Sequence, residues 1–557
     1  MTRVLRSSTK MIQSKEDSSS KLSISKKSKT IKRREKKIVG IKNEDKKQID
    51  IWNVNSIMSK IFSYTCLKDL VKFNTVCKKW NNLTNPIIHK TVKLTRGADV
   101  IKQVYGKNLE CTDLFKSEVA ECILQNAKRA NLVKEFEFDL NNILDPRTSI
   151  EFFQTFRFIR NLTIRNCDIS QDQVLGMISP LTQLQELFIR DLKIKRIVRK
   201  RIYKEAVQLP PTLKKLRLDN IELINNPELF IQSINSHNCL VEFSTNSYTS
   251  SSTNEVFLEP FYIHYPSLIN LKFYNKGLQT PQSLFKVFEN NTQLISLKLS
   301  LECWNSELVS NINSNLTNLE EFNLLDDVSY NQIYTDFFAN FSQPAKIKKL
   351  SLKWSNLTNC SLKSILLNCP QLEELDLITY KYYMQPNSAN FFNLSNPAKL
   401  KKLTIDCDCL SDSIIDNLLL QCTNLKELDV ILPLKWKEIM KSIYEKCTNL
   451  ERLSICPHID ICIQDDNPFY REFYDTEFFT KYPICKSTIS HLTLKRLKLI
   501  NSKVDYFKNF ENLNSIKYRQ QICNPIKINM DLWPGYRLIA TEFNTGYDIE
   551  LKRNLIS

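Results

Sequence analysis

The sequence predicts an α/β chain: a short α-helical unit followed by a curved solenoid, with parallel strands on the concave side and helices on the convex side. Three observations predict it. A strand signature spaced L-x-x-L-x-L, clearest in CPQLEELDL (Cys369 to Leu377), recurs along most of the chain. Helical stripes at four-residue steps stand between later copies, as in Ile414, Leu418 and Cys422 or Ile439, Ile443 and Cys447. Ahead of the first copy, residues 51–85 carry a separate set of amphipathic runs.

The first apolar positions of the copies are Val133, Ile159, Leu184, Leu213, Leu240, Leu268, Leu294, Leu319, Ile347, Leu372, Leu400, Leu425, Leu450, Ile489 and Leu513. The steps run from 24 to 29 residues, with a single step of 39 before Ile489. Within a copy, the period-2 step from Leu375 to Leu377 puts two side chains on one face of a short strand and the residues beside them on the other. One such strand buries too little to stand alone, whereas stacked neighbours bury a continuous core. Strands pair about 4.8 Å apart and helices need about 8–10 Å, so the stack curves with its strands inside. The fourteen gaps between these strands span roughly 67 Å at that spacing, which suits a folded protein or a long peptide better than a small metabolite.

This pattern resembles the leucine-rich-repeat family. Cysteines just before the strand in HNCL, NCPQL, QCTNL and KCTNL (Cys239, Cys369, Cys422, Cys447) match its cysteine-containing subtype, and Cys167 fills the later Asn or Cys position. Stacked repeats also explain how 557 residues avoid the size ceiling of one globular core.

The chain divides in order. Residues 1–48 are rich in Lys and Ser and lack amphipathic period, so they cannot offset their ordering entropy and read as a disordered basic tail. Residues 1–50 hold 16 Lys/Arg against 6 Asp/Glu, more than half of the net charge of +18. Within them, KKSKTIKRREKK (Lys26 to Lys37) has two readings: an import or nucleic-acid-binding arm, or a solvated tail. The helical unit covers 49–95, a helical linker or N-terminal cap 96–130 with a helix around Glu118 to Ala130, the repeats 131–519, and a C-terminal cap or tail 520–557 around Trp533, Pro534, Gly535 and Tyr536.

In the helical unit, Ile57, Ile61 and Phe62 share a face, and Leu67, Leu70, Phe73, Val76, Cys77 and Trp80 continue at helical steps. Periodicity alone gives a three-helix core. The run KIFSY followed by KDLVKFNTVCKKWNNL resembles the F-box, whose signature ends in Val-Cys-basic-basic-Trp, here Val76, Cys77, Lys78, Lys79 and Trp80. Asn53-Val54 stands where that family has Leu-Pro. The resemblance implies that Ile57, Ile61, Phe62, Leu67, Leu70, Val76, Cys77 and Trp80 form the surface for an adaptor subunit, and through it a cullin-RING ubiquitin ligase. The chain would then be an SCF-type substrate receptor, cytoplasmic or nuclear, without catalytic residues of its own. A second reading is a nuclear scaffold that binds protein or nucleic acid without ubiquitin transfer.

Specificity in such a solenoid belongs to the outward strand positions. Early and middle copies place Arg165, Phe188, Arg190, Arg217, Lys272, Tyr274 and Lys298 there, and later copies Asp376, Asp406, Asp429 and Lys495. A basic stretch with aromatics suits an acidic or phosphorylated segment of a protein substrate; solvated charges with no ligand are the other reading. Two insertions break the rhythm. KIKRIVRKRIYK (Lys193 to Lys204) is expected in the convex helix or its loop, as a solvated face or an electrostatic nucleic-acid contact. Cys456 to Cys485, acidic and aromatic, reads as a flap over the concave face or as a decorated repeat.

Composition removes other classes. No run of about 18 apolar residues predicts a membrane span, and the N-terminus lacks the apolar core of a secretory signal. The 17 scattered cysteines read as buried thiols of a reducing compartment. Five histidines and seven glycines leave no nucleophile–base pair and no phosphate cradle. Cys456, His458 and Cys462 lack the second ligand pair of a zinc site, so neither metal nor cofactor is expected.

Overall fold

The computed structural model describes residues 3–4, 55–95, 120–139 except 122 and 125, 146–196, 202–247, 254–275, 278, 280–301, 306–325, 346–353, 367–378, 396–406, 412–433, 436–458, 469–481, 487–497, 502–520, 529–543 and 546–554. The segment Lys26 to Lys37, Cys462 and most of the 96–119 linker lie outside the described residues. The chain divides into two units, residues 1–167 with 180–184, and residues 168–179 with 185–557.

The first unit opens on three helices, α1 (Asn55–Ser63), α2 (Leu67–Asn74) and α3 (Lys78–Ile88). Cys66 and Cys77 are the N-caps of α2 and α3, and the Cys77 sulfur accepts from the Trp80 backbone N–H at 3.5 Å. Met58, Phe62, Leu70 and Ile88 are buried, and Leu67, Phe73, Trp80, Leu83 and Ile87 pack around them. Asn74 Nδ2 donates to Asn85 Oδ1 at 2.8 Å, which ties α2 to α3.

After α3, β1 (Thr91–Thr95) pairs parallel with β2 (Glu135–Asp139), and β2 with β3 (Asn161–Ser170). Thr91–Thr95, at the end of the 49–95 span expected to be helical, is thus a strand, because polar Thr91, Lys93 and Thr95 alternate with apolar Val92 and Leu94 and three of the five residues are β-branched. The linker helix is partly seen: Ala127–Leu132 forms a 3-10 turn ahead of β2. Phe136 meets Phe138 of its own strand and Phe152 and Phe153 of α4 (Pro146–Thr155), lying 4.9 Å from Phe152 between ring centroids.

The second unit holds the longer array. Its strands are β4 (Glu186–Lys195), β5 (Lys215–Ile224), β6 (Glu242–Ser247), β7 (Asn270–Asn275), β8 (Ser296–Leu301), β9 (Glu321–Leu325), β10 (Lys349–Lys353), β11 (Glu374–Ile378), β12 (Lys402–Asp406), β13 (Glu427–Leu432), β14 (Arg452–Pro457), β15 (His491–Lys495) and β16 (Ser515–Gln520). Each pairs parallel with the next. Every strand from β2 to β16 begins two residues after an apolar position that the spacing singled out. The inward pair of each, such as Leu375 and Leu377 or Leu403 and Ile405, is fully buried. Each such Leu stabilises by about 1.5–3 kcal/mol.

Two further ladders hold the repeats in register. The amides of Asn424 and Asn449, both in TNL tripeptides, donate at 2.9 Å to carbonyls one repeat upstream, those of Ala398 and Thr423. At the strand starts, lysines face glutamates on an adjacent repeat, as in Lys348–Glu320 at 2.8 Å, Lys349–Glu374 at 2.6 Å and Lys401–Glu373 at 2.8 Å. Such exposed pairs are worth little singly.

In the longer strands β4 and β5 the sixth residue, Asp191 or Asn220, sits at a φ of 51° or 52° and bends the strand. Asn and Asp tolerate this left-handed region better than other side chains. Asn220 Nδ2 donates to Asp191 Oδ1 at 2.8 Å, so the bends stack.

Helices α5 (Gln171–Ile178), α6 (Glu228–Asn235), α7 (Gln282–Asn290) and α8 (Ser306–Asn315) stand between these strands. In α9 (Asp412–Gln421) and α10 (Trp436–Lys446), Ile415, Leu418, Ile439 and Ile443 are buried. Cys369, Cys422 and Cys447 fill the turns before their strands, and burial pushes the thiols of Cys369 and Cys422 up to about 12. The cysteines among the described residues are unbridged.

The first insertion differs from expectation where it is described, residues 197–201 lying outside the described residues, and the second takes one of its two readings, the decorated repeat. Lys193 and Lys195 lie in β4, not in a helix or loop, and pair with Glu222 at 2.9 Å and Asp168 at 2.6 Å. Alternation of Lys with Ile194 continues the strand past its bend, and the acids on neighbouring segments offset its charge. The described part of the second insertion is no flap. It forms α11 (Phe469–Tyr474) and α12 (Glu477–Thr480), whose Phe469, Phe473, Tyr474, Phe478 and Phe479 are buried. Five large aromatics have more to gain by burial than over a polar sheet face.

Past β16 the direction reverses. The hairpin β17 (Tyr536–Phe543) and β18 (Gly546–Arg553) adds to β16 antiparallel through β18. Asp548 of β18 takes Arg519 at 3.0 Å and Lys517 at 2.6 Å. The Arg519 hydrogen bonds, against the opposing effect of burial and with help from Lys517, hold its carboxyl below the usual carboxylate range. Because the folded value is depressed, this contribution is present above the unfolded value near 4 and is lost as pH falls through the folded one. Asp548→Asn is expected to cost about 1–2 kcal/mol at pH 7 and less at pH 3, which lies below the unfolded value. Denaturant titrations at both pH values check this; an equal loss at both would contradict it.

Candidate functional sites on the helical unit and the outward sheet face

On the helical unit, the eight residues singled out by sequence separate into two sets. Phe62 and Leu70 are 1% and 0% exposed and form the core. Trp80, half-buried, meets Phe62 and Phe73 edge-on at centroid distances of 5.4 Å each, and Leu67 packs beside them. Ile57, Ile61, Val76 and Cys77 are exposed. The buried set therefore shapes the surface, and the exposed set is free to contact another molecule. Tyr64 and Val71, also exposed, were missed by the sequence reading. The i, i+4, i+7 spacing of Ile57, Ile61 and Tyr64 was the signal for the first.

Of the seven outward positions, Arg165 lies in the first unit, where it pairs with Glu137 at 3.5 Å. The other six lie in the second unit. Alternation with the buried leucines puts Phe188, Arg217, Lys272 and Lys298 in one row, at the middle outward position of β4, β5, β7 and β8. Arg190 and Tyr274 sit one outward position further along their strands. The Arg217 guanidinium stands 4.4 Å above the Phe188 ring and the Lys272 ammonium 4.7 Å above that of Tyr274.

Most of these cations are already answered within the protein. Arg190 pairs with Asp191 at 3.1 Å, Arg217 with Asp219 at 2.5 Å and Lys298 with Glu321 at 2.9 Å. The sequence reading counted the cations and overlooked these acids. The pattern Arg217-Leu218-Asp219, two residues apart on one strand face, was the available signal. Lys272 differs in having no ion pair among the described residues: burial first, then the nearby Arg217 and Lys298 charges, pull its ammonium below the usual lysine range against the opposing effect of Asp219 and Glu242.

The row continues through Asn323, Ser351, Asp376, Thr404, Asp429, Ser454, Thr493 and Lys517. Asp429 is held by Lys495 at 2.7 Å. A groove of about 320 Å³ lies at this end, between Lys402, Glu427, Arg452, His491 and Glu550. Among the described residues no group of His, Cys, Asp and Glu is arranged to hold a metal, and no helix is long and apolar enough to cross a membrane.

No protein-family model matches the chain, and no curated protein matches it. Similar solved structures include a TLR13–ssRNA13 complex, with 14% identity and a TM-score of 0.27 over 64% of this chain and 63% of that one. The chain thus spans less than two thirds of that protein's length. Another is the Rad7 and Elc1 complex of yeast, with 12% identity and a TM-score of 0.29 over 74% of this chain and 96% of that one. The regular strands, their register and the helices between them define a leucine-rich-repeat type of fold.

Proposed function

We propose that this chain is the substrate-recognition subunit of an SCF-type cullin-RING ubiquitin ligase: the helical unit docks an adaptor subunit, and the outward sheet face binds a protein substrate. One observation carries the reading. The segment with the F-box pattern folds as three helices that bury Met58, Phe62 and Leu70 yet leave Ile57, Ile61, Val71 and Val76 exposed. Large apolar side chains left in water beside a complete core favour a partner surface. The adaptor of the F-box resemblance is that partner. The receptor's contribution to rate is proximity, which needs no catalytic residue in this chain.

Ile61→Arg and Val76→Arg test it, because both positions are exposed and neither contributes to the buried core. The tagged double variant is expected to keep the wild-type melting temperature and to lose adaptor and cullin in pull-downs from the protein's own cells. Equal recovery of both partners would remove this face from the proposal.

A further inference from the structure

The middle outward row of the second unit contains seven charged side chains among the described residues, and five of them have counter-charges within the protein. Arg217 has Asp219, Lys298 has Glu321, Asp429 has Lys495, Lys517 has Asp548 and Glu550 has Lys552. Lys272 and Asp376 form no ion pair among the described residues. Both are half-buried. A charge withdrawn from water without a counter-charge destabilises the fold, and a ligand that supplies the counter-charge recovers that loss.

The polar atoms of the same row point the same way. Ser244, two per cent exposed, lies between Arg217 and Lys272 in register, and its hydroxyl has no hydrogen-bond partner among the described residues. The side-chain oxygen Oδ1 of Asn323 and that of Asp376 are likewise buried and unpartnered. The stretch from Ser244 to Asp376 therefore holds a cation without an ion pair beside an idle hydroxyl, then, past Lys298, an idle amide oxygen and, past Ser351, a carboxylate without an ion pair.

We propose that this face receives an extended segment of a protein partner that carries an acidic group for Lys272 and a basic group for Asp376, in a fixed order and about six residues apart. The spacing follows from the register. Lys272 on β7 and Asp376 on β11 are four strands apart through Lys298, Asn323 and Ser351. Four steps of about 4.8 Å make about 19 Å, which an extended chain covers in about six residues at about 3.3 Å each. Asn323 Oδ1 accepts a backbone N–H of the segment between the two charges. A nucleic-acid strand fits less well, since its phosphates satisfy Lys272 but set like charge against Asp376. The inference deepens the receptor reading above, and it concerns the chemistry of the substrate.

The test is an array of immobilised extended peptides in a Gly-Ser-Ala background. Each peptide carries one Glu, or one phosphoserine, and one Arg, at every separation and in both orders. Purified full-length protein is expected to bind best at about six residues and in one order. Lys272→Glu and Asp376→Lys are each expected to weaken that binding about tenfold, which corresponds to about 1.4 kcal/mol. The double variant, with the charges exchanged, is expected to recover binding with the order preference reversed. Stronger capture of phosphoserine than of Glu assigns the acidic group as a phosphate, and equal capture assigns it as a carboxylate; the spacing holds in both cases. Absence of any separation or order preference, or a Lys272→Glu array identical to wild type, would overturn the proposal. So would tight capture of a single-stranded oligonucleotide that Lys272→Glu abolishes and Asp376→Lys strengthens. Adaptor pull-downs on the same variants separate the two readings. The array pattern with no adaptor recovered leaves the face and removes the ligase, and adaptor recovery with a featureless array does the reverse.

Discussion

Phe62→Ala is expected to destabilise the three-helix unit by about 3–5 kcal/mol. The ring is 1% exposed and touches two other aromatics of the unit, Phe73 at a centroid distance of 5.7 Å and Trp80 at 5.4 Å. Its removal deletes apolar burial and leaves a cavity between helices that have few other buried residues to redistribute the loss. Small helical units are marginal, so the variant is expected to lose amide protection across residues 55–88 while the repeats of the second unit retain theirs. Hydrogen exchange on the full chain reads both regions at once. Wild-type protection in α1 to α3 would show that Phe62 is not the centre of this core. Trp80→Ala is expected to cost less, about 2 kcal/mol, because the indole is half-buried and loses less area. The receptor proposal predicts that Phe62→Ala also abolishes adaptor binding, through unfolding, whereas Ile61→Arg abolishes it in a folded unit.

The second large effect is expected at Phe473, in the insertion that sequence left open between a flap and a decorated repeat. It is fully buried and meets Trp436 at 6.0 Å, Phe469 at 5.5 Å and Phe479 at 5.1 Å between centroids. It therefore joins α10 to α11 and α12. Phe473→Ala is expected to cost about 3–5 kcal/mol and, because each repeat contacts only its neighbours, to loosen β14 and β15 before distant repeats. Denaturant unfolding with hydrogen exchange localises the loss. A mobile flap would instead tolerate the substitution with an unchanged midpoint.

By itself the sequence determined the strands. A two-residue period with an apolar residue two positions ahead of each copy marks burial directly, and it placed the start of every strand from β2 to β16. The helices after them followed from Ile439, Ile443 and Cys447, because a turn of helix repeats at nearly the same interval whatever surrounds it. Only the tertiary structure decided which charges were spoken for. Lys298 and Lys272 look alike in the sequence, and the difference between them is Glu321, which register brings to the first and not to the second. The tertiary structure also decided that Phe62 and Leu70 are core while Ile61 and Val76 face water, and that an acidic, aromatic insertion packs inside. These outcomes depend on which groups share a volume. Spacing along a chain fixes the face a side chain points from, and packing between segments far apart in sequence fixes what it meets there.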